Sequence, residues 1–120
     1  MPELPEVQTV VNSLQIITHK SLKSFSSLWN KVSYNCSNDY IKQHTKNSEI
    51  ESITKLGKYI VIKTNISYLA FHLRMTGYLY YCKDMPKNKK YMRCSFKFTD
   101  GTFLIFEDIR KFGGFYYLKS

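Results

Sequence analysis

Seven short runs, the first weakly alternating and the other six rich in Tyr, Phe, Ile and Val, follow one another between residues 22 and 119, and they leave little choice of fold. They are LKSFSSLW (22–29), KYIVIKT (58–64), SYLAFHLR (67–74), GYLYYC (77–82), RCSFKFT (93–99), TFLIFED (102–108) and GFYYLK (114–119). Each has the length of a strand, and β-branched and aromatic residues favour the extended, half-buried backbone of a sheet. Turn signals separate them: Thr64-Asn65, Thr76-Gly77, the Asp84–Lys90 loop with Pro86, and Asp100-Gly101, which is the clearest hairpin. Strands spaced at such short intervals predict a mainly β (α+β) domain, a two-layer antiparallel β-sandwich or flattened barrel. Most of the ten Tyr and eight Phe then belong to the core and the sheet surface.

Two helices are predicted beside the strands. Val7, Val10, Val11 and Leu14 fall at i, i+3, i+4 and i+7, so Glu6–Gln15 carries one apolar helical face that packs on an end of the sandwich. Pro5 suits a first helical turn, and an acidic residue there suits the positive end of the dipole. Asn38–Asn47 reads as a second short helix with Asp39 as its cap. At 120 residues the chain is one domain.

Composition narrows the partners. Eighteen Lys and Arg against nine Asp and Glu give a net charge of +9, an excess that favours a polyanion, most often nucleic acid, over a merely soluble basic surface. No apolar run spans a bilayer, and Glu3 and Glu6 make the start unlike a signal peptide. A soluble intracellular protein of cytoplasm, nucleoid or nucleus is expected, with no membrane partner. Cys36, Cys82 and Cys94 lack C-x-x-C spacing and read as reduced thiols. With His19, His44 and His72 scattered, neither metal nor cofactor is expected in this chain.

The first seven residues, MPELPEV, are more specific than a loose terminus requires. Removal of Met1 would leave Pro2 as a free secondary amine. An ordinary α-amino group titrates near 7.7–8.0, so part of it is neutral and nucleophilic at neutral pH. Attack of such an amine on a carbonyl carbon gives a cationic iminium, an electron sink for cleaving neighbouring bonds. Glu3 and Glu6 lie close enough in sequence to pass protons. The plain alternative is that Pro2 is accidental and the glutamates only start a helix.

Four segments in order then resemble the formamidopyrimidine-DNA glycosylase/endonuclease VIII family. They are MPELPEV itself, LGKYI (Leu56–Ile60), FHLRMTG (Phe71–Gly77) against the family's HLGM[ST]G, and EDIRKFGG (Glu107–Gly114) against its D-x-R-[RK]-F-G. The resemblance implies a base-excision repair DNA glycosylase and AP lyase that removes oxidised bases from double-stranded DNA by β,δ-elimination. It implies catalytic roles for Pro2, Glu3, Glu6 and Lys58: attack at C1′, protonation of the sugar oxygen, a further active-site carboxylate, and a phosphate clamp. Met75, Arg110 and Phe112 would fill the space left by the flipped nucleotide. Chemistry on a base needs extrusion, and an apolar wedge, a planar fork and a flat ring suit the vacated stack. Taken alone, Met75 and Phe112 could equally be core and Arg110 a surface ion pair. Lys55, Lys63, Arg74 and Lys111 could extend a positive track, Lys87–Lys90 reads as a solvated loop, and His72 is given no chemistry.

Two departures from the family pattern stand out. Arg74 occupies the place of a glycine and Ile109 that of a proline. Residues 1–120 correspond to the N-terminal catalytic domain, without the helix–two-turn–helix and zinc-finger domains that the resemblance leads one to expect. A monomer is expected, with a C-terminal domain or separate chain completing the cleft. Two other functions stay open: a DNA-binding module of the same fold without useful turnover, and a small-molecule tautomerase using an N-terminal proline.

Overall fold

The computed structural model describes residues 4–120. Pro2 and Glu3, to which the sequence assigns the chemistry, lie outside the described residues.

Two four-stranded antiparallel sheets face each other, and neither closes into a barrel. Helix α1 (Leu4–Ser13) runs into a 3₁₀ turn (Leu14–Ile17) and is followed by β1 (Leu22–Ser26), α2 (Asn38–Thr45), β2 (Ile50–Leu56) and β3 (Tyr59–Thr64). Then come β4 (Ser67–His72), β5 (Gly77–Cys82), β6 (Met92–Phe98), β7 (Phe103–Asp108) and β8 (Gly114–Lys119). One sheet has the order β1-β6-β7-β5, the other β2-β3-β4-β8. Every predicted run contains a strand. The strand β2 was not predicted as one, and its pairing explains why: the register with β3 shifts between Ile50 and Ser52, which breaks the alternation that marks a half-buried strand.

The inner faces meet in an aromatic core. Phe25, Phe71, Phe96, Phe98, Phe106 and Phe115 are all fully buried, with Phe71 and Phe115 ring centroids 4.8 Å apart and Phe25 and Phe96 4.9 Å apart. Burial of each such ring contributes roughly 1.5–3 kcal/mol. Helix α1 turns Val7 and Val11 inward, with Val10 partly buried, and Leu14 of the 3₁₀ turn continues the buried face; the helix touches β2 and β5, an edge strand of each sheet. Its predicted apolar face is therefore the buried one, although α-helical geometry ends at Ser13 and tightens beyond it. Helix α2 packs on β1. Its cap is Ser37, whose Oγ accepts from the Tyr40 N–H at 3.1 Å, not Asp39. Asp39 lies inside the first turn, where its charge favours the helix through the dipole instead.

The β2–β3 hairpin turns on two residues, Gly57 and Lys58, with Leu56 opposite Tyr59. The positive φ of +60° falls at Gly57, the first central position, as a type II′ hairpin requires. Cys36, Cys82 and Cys94 are free thiols. Among the described residues, no helix is long and apolar enough to cross a membrane, and no group of three or more His, Cys, Asp or Glu could hold a metal ion.

Candidate functional site

Strand register gathers the motif residues at one end of the sandwich. In one sheet Tyr59 is opposite His72 and His72 opposite Gly114. Lys58 just precedes the first of these, Arg74 and Met75 follow the second, and Phe112 precedes the third. In the other sheet Gly77 is opposite Asp108, so Met75 and Arg110 flank that pair. Two loops do the gathering. Residues 73–76 cross from β4 to β5, residues 109–113 cross back from β7 to β8, and each passes between sheets at the same end.

Their tips stand out from the body. Met75 is 52% exposed, Phe112 55% and Ile109 61%, and Phe112 is the one exposed phenylalanine among the described residues. Arg110 Nη1 lies 3.6 Å from Met75 Sδ, as a donor to sulfur. Arg74, Met75, Lys111 and Phe112 line an open cleft of about 500 Å³. Met75, Arg110 and Phe112, 35 or more residues apart in sequence across the two motifs, are thus brought together.

The loops are held from beneath. Asp108 is 1% exposed; its Oδ1 accepts from the Thr76 hydroxyl and, at 3.1 Å, from Arg110 N–H, while Oδ2 accepts from Gly113 N–H at 2.6 Å. The backbone carbonyl of Asp108 accepts from Arg93 Nε at 2.7 Å. A Cβ on Gly113 would meet Phe106 Cζ at 2.8 Å and the His72 carbonyl at 2.9 Å, so only glycine fits there. Tyr34, from the irregular segment between β1 and α2, donates its hydroxyl to the Phe112 carbonyl at 2.9 Å. Its ring centroid lies 5.9 Å from the Arg74 guanidinium carbon, within cation–π range. Burial pushes the Tyr34 phenol above its ordinary range, although Arg74 acts against that shift.

His72 serves this geometry as an acceptor. Its Nδ1 receives the Arg74 N–H at 3.0 Å, which requires an unprotonated Nδ1 and leaves the proton on Nε2. Burial lowers its pKa from 6.5, and the nearby charges of Arg74 and Lys58 lower it further. The two non-glycine residues in the loops with positive φ are Arg74 (57°) and Lys111 (60°). Left-handed backbone is costly for residues with a Cβ and tends to cluster at functional sites. At Arg74 it also explains the motif: a glycine would take this conformation without cost.

Of the remaining predicted residues, Glu6 is exposed in the first turn of α1, and Lys58 is exposed in its hairpin turn. Lys63 does not join the cluster, because it sits near the far end of β3 and pairs with Glu51 at 3.3 Å. The Lys87–Lys90 loop is led back toward the site, since Asp108 N–H donates to the Tyr91 carbonyl at 2.9 Å. Sequence reasoning missed Tyr34, Thr76 and Arg93 and gave Asp108 no role. The quoted motifs held a signal for two of them, since Thr76 stands at the [ST] of HLGM[ST]G and Asp108 at the first position of D-x-R-[RK]-F-G. Tyr34 carried none. Chemically, the assembled surface is a rim of exposed apolar and cationic side chains on a rigid hydrogen-bonded base, suited to meeting a stacked, polyanionic partner.

A family model described as the formamidopyrimidine-DNA glycosylase N-terminal domain matches residues 1–115. The formamidopyrimidine-DNA glycosylase of Ligilactobacillus salivarius is 34% identical over 122 residues, covering 100% of this chain and 44% of that protein. The one from Mycoplasma genitalium is 37% identical over 119 residues, covering 97% of this chain and 42% of that protein. The chain thus spans less than half the length of these curated relatives. Among solved structures, Lactococcus lactis Fpg bound to DNA containing FAPY-dG superposes with a TM-score of 0.90 at 28% identity, covering 98% of this chain and 44% of that one. Its complex with abasic-site DNA gives 0.89 at the same identity and coverage.

Proposed function

The chain belongs to the formamidopyrimidine-DNA glycosylase family, and from that premise we propose that it is the catalytic N-terminal domain of a bifunctional glycosylase and AP lyase acting on oxidised bases in duplex DNA. After loss of Met1, the Pro2 nitrogen lone pair forms a bond to C1′ of the damaged nucleotide. The base leaves with the glycosidic electron pair and takes up a proton, while the Pro2 ammonium so formed gives up its N–H proton and regains its lone pair. Glu3 protonates O4′ as the C1′–O4′ bond opens, which leaves an iminium between Pro2 and C1′. That cation acidifies C2′–H. Loss of this proton with departure of the 3′-phosphate is the β-elimination, and a second elimination releases the 5′-phosphate. Water then hydrolyses the conjugate and returns the free amine. Glu6 assists proton transfer, and Lys58 neutralises a phosphate beside the reacting sugar.

The observation that carries the reading is the joining of Met75, Arg110 and Phe112 on one exposed rim. Met75 and Phe112 are apolar groups of a size to enter a vacated base position, and Arg110 offers a planar donor fork to the base left unpaired. Lys58, Arg74 and Lys111 supply positive charge at the same end for the backbone. Damaged DNA is also what the L. lactis structures contain.

The test is borohydride trapping on an abasic-site duplex, followed by mass spectrometry of the conjugate. A crosslink through the Pro2 nitrogen is expected, and it should vanish when the terminal amine is blocked. A crosslink on a lysine, or one that survives blocking, would refute the Pro2 mechanism. A DNA-binding module without turnover is the second reading, since the net charge of +9 and the cations of the rim account for binding without requiring any chemistry. It is the one that predicts binding with no conjugate.

A further inference from the structure

We propose that Asp108 is a positioning residue that couples the two loops of the rim, so that Met75 on one and Arg110 and Phe112 on the other enter DNA as a single preset unit. The inference rests on the glycosylase reading above and adds to it the part that sets the rim's geometry.

Burying a carboxylate is costly unless its oxygens are satisfied. Asp108 is 1% exposed, and the three groups that satisfy its side chain all come from the two loops. Thr76, next to Met75, donates its hydroxyl. Arg110 donates its backbone N–H at 3.1 Å, and Gly113, next to Phe112, donates its own at 2.6 Å. The carboxylate therefore stands one residue from each apolar wedge and directly on the residue of the fork. It holds backbone or β-carbon hydroxyl groups, not the flexible tips, so it fixes where the loops lie and leaves the tips exposed. Asp108 is itself anchored at both backbone ends, its N–H by the Tyr91 carbonyl at 2.9 Å and its carbonyl by Arg93 Nε at 2.7 Å. That anchoring makes it a fixed post between the two loops. Hydrogen bonds to an ionised acceptor are among the stronger kind, and preset geometry raises affinity by removing the ordering cost at binding.

The experiment uses the 120-residue chain with four variants compared with the parent. Asp108→Asn keeps the shape but turns an amide N–H₂ toward one set of donors. Thr76→Val removes only the hydroxyl, and Thr76→Ser keeps it. Phe112→Ala marks the loss of a wedge itself. Binding to an abasic-site duplex and to the undamaged duplex is measured, with 2-aminopurine opposite the abasic site reporting unstacking. Backbone amide exchange at Arg110 and Gly113 is followed without DNA. Asp108→Asn and Thr76→Val should each lower the preference for the abasic duplex roughly tenfold, the scale of one charge-assisted hydrogen bond. Both should blunt the fluorescence rise and leave undamaged-duplex binding within about twofold, because the cations that contact phosphate remain. Asp108→Asn should also speed exchange at Gly113, and Thr76→Ser should restore the parent's preference.

If the parent shows no preference for the abasic duplex, the glycosylase reading fails and this inference falls with it. If the parent shows the preference and both variants keep it, or if Gly113 exchanges no faster in Asp108→Asn, the coupling role alone is overturned. Loss in Thr76→Val that Thr76→Ser does not restore would also overturn it. Should Asp108→Asn fail to fold, the Thr76 pair decides.

Discussion

Replacing Gly77 with alanine should damage this protein more than replacing Gly57, although Gly57 is the one with the unusual backbone. A Cβ at Gly77 would lie 2.4 Å from the Leu73 carbonyl oxygen, 2.9 Å from Leu73 Cα and 3.0 Å from its carbonyl carbon. Ordinary contact begins at 3.4 Å, so the oxygen has to retreat by about 1 Å (3.4 less 2.4). All three obstacles are backbone, and no rotamer change relieves them. The same oxygen accepts the Gly77 N–H at 2.7 Å, so the retreat breaks the hydrogen bond that closes the 73–76 loop. Overpacking of this kind costs about 1–3 kcal/mol, and the lost backbone bond adds about 1 kcal/mol. The total is roughly 2–4 kcal/mol. For 120 residues, an unfolding entropy of about 2.1 cal/mol/K per residue converts this to a fall in Tm of about 8–16 °C.

Gly57 is the control. Nothing lies within 4 Å of its Cβ position, and its cost comes only from a φ of +60°. That costs about 1 kcal/mol, or about 4 °C. The gain from a stiffer unfolded chain is the same in both variants and cancels in the comparison. Thermal unfolding followed by circular dichroism measures both. Equal shifts, or a larger one at Gly57, would refute the reasoning that the close approach at Gly77 sets the geometry of this loop.

Two further outcomes test the site's supports. Phe112→Ala should change stability by less than about 0.5 kcal/mol, because the ring is 55% exposed. A larger loss by denaturant unfolding would return Phe112 to the core. The pKa of His72 is lowered in the folded chain by burial and then by Arg74 and Lys58, so the folded state binds its proton less readily than the unfolded state does. The stability that His72 contributes is therefore complete above about pH 6.5 and is lost as pH falls through the lowered folded value. His72→Gln should remove that part of the slope. An imidazole titrating at or above 6.5 in the folded chain, read by NMR, would contradict it.

The alternation that made the strands legible follows from the architecture itself. Each sheet buries one face, and in β3 Ile60, Ile62 and Thr64 are buried while the residues between them are partly exposed. Where a bulge shifts that pattern, as between Ile50 and Ser52, a strand vanishes from the sequence though it remains in the sheet. The site was legible differently. Met75, Arg110 and Phe112 could be chosen by motif, but no periodicity says that a β4–β5 loop and a β7–β8 loop lie side by side. That requires the pairing of Gly77 with Asp108 and of His72 with Gly114. Nor does a strand-terminal aspartate look different from a solvated one until its partners are known.

Arg74 joins the two kinds of information. The sequence marked it as an arginine in a glycine's place and as one of the cations that could extend a positive track. At a φ of 57° that departure costs on the order of 1–2 kcal/mol. Two contacts act against the cost: His72 Nδ1 accepts the Arg74 N–H at 3.0 Å, and the Tyr34 ring lies 5.9 Å from the guanidinium carbon. Tyr34 is itself held by its hydroxyl, which donates to the Phe112 carbonyl at 2.9 Å. An exposed cation–π contact contributes about 0.5–1 kcal/mol, comparable to a good part of the strain. The charge lost by keeping glycine would have been one of the cations at this rim. The arginine therefore trades conformational ease for a cation held in place by Tyr34, a residue outside every motif, and the same tyrosine ties the Arg74 loop to the loop of Phe112.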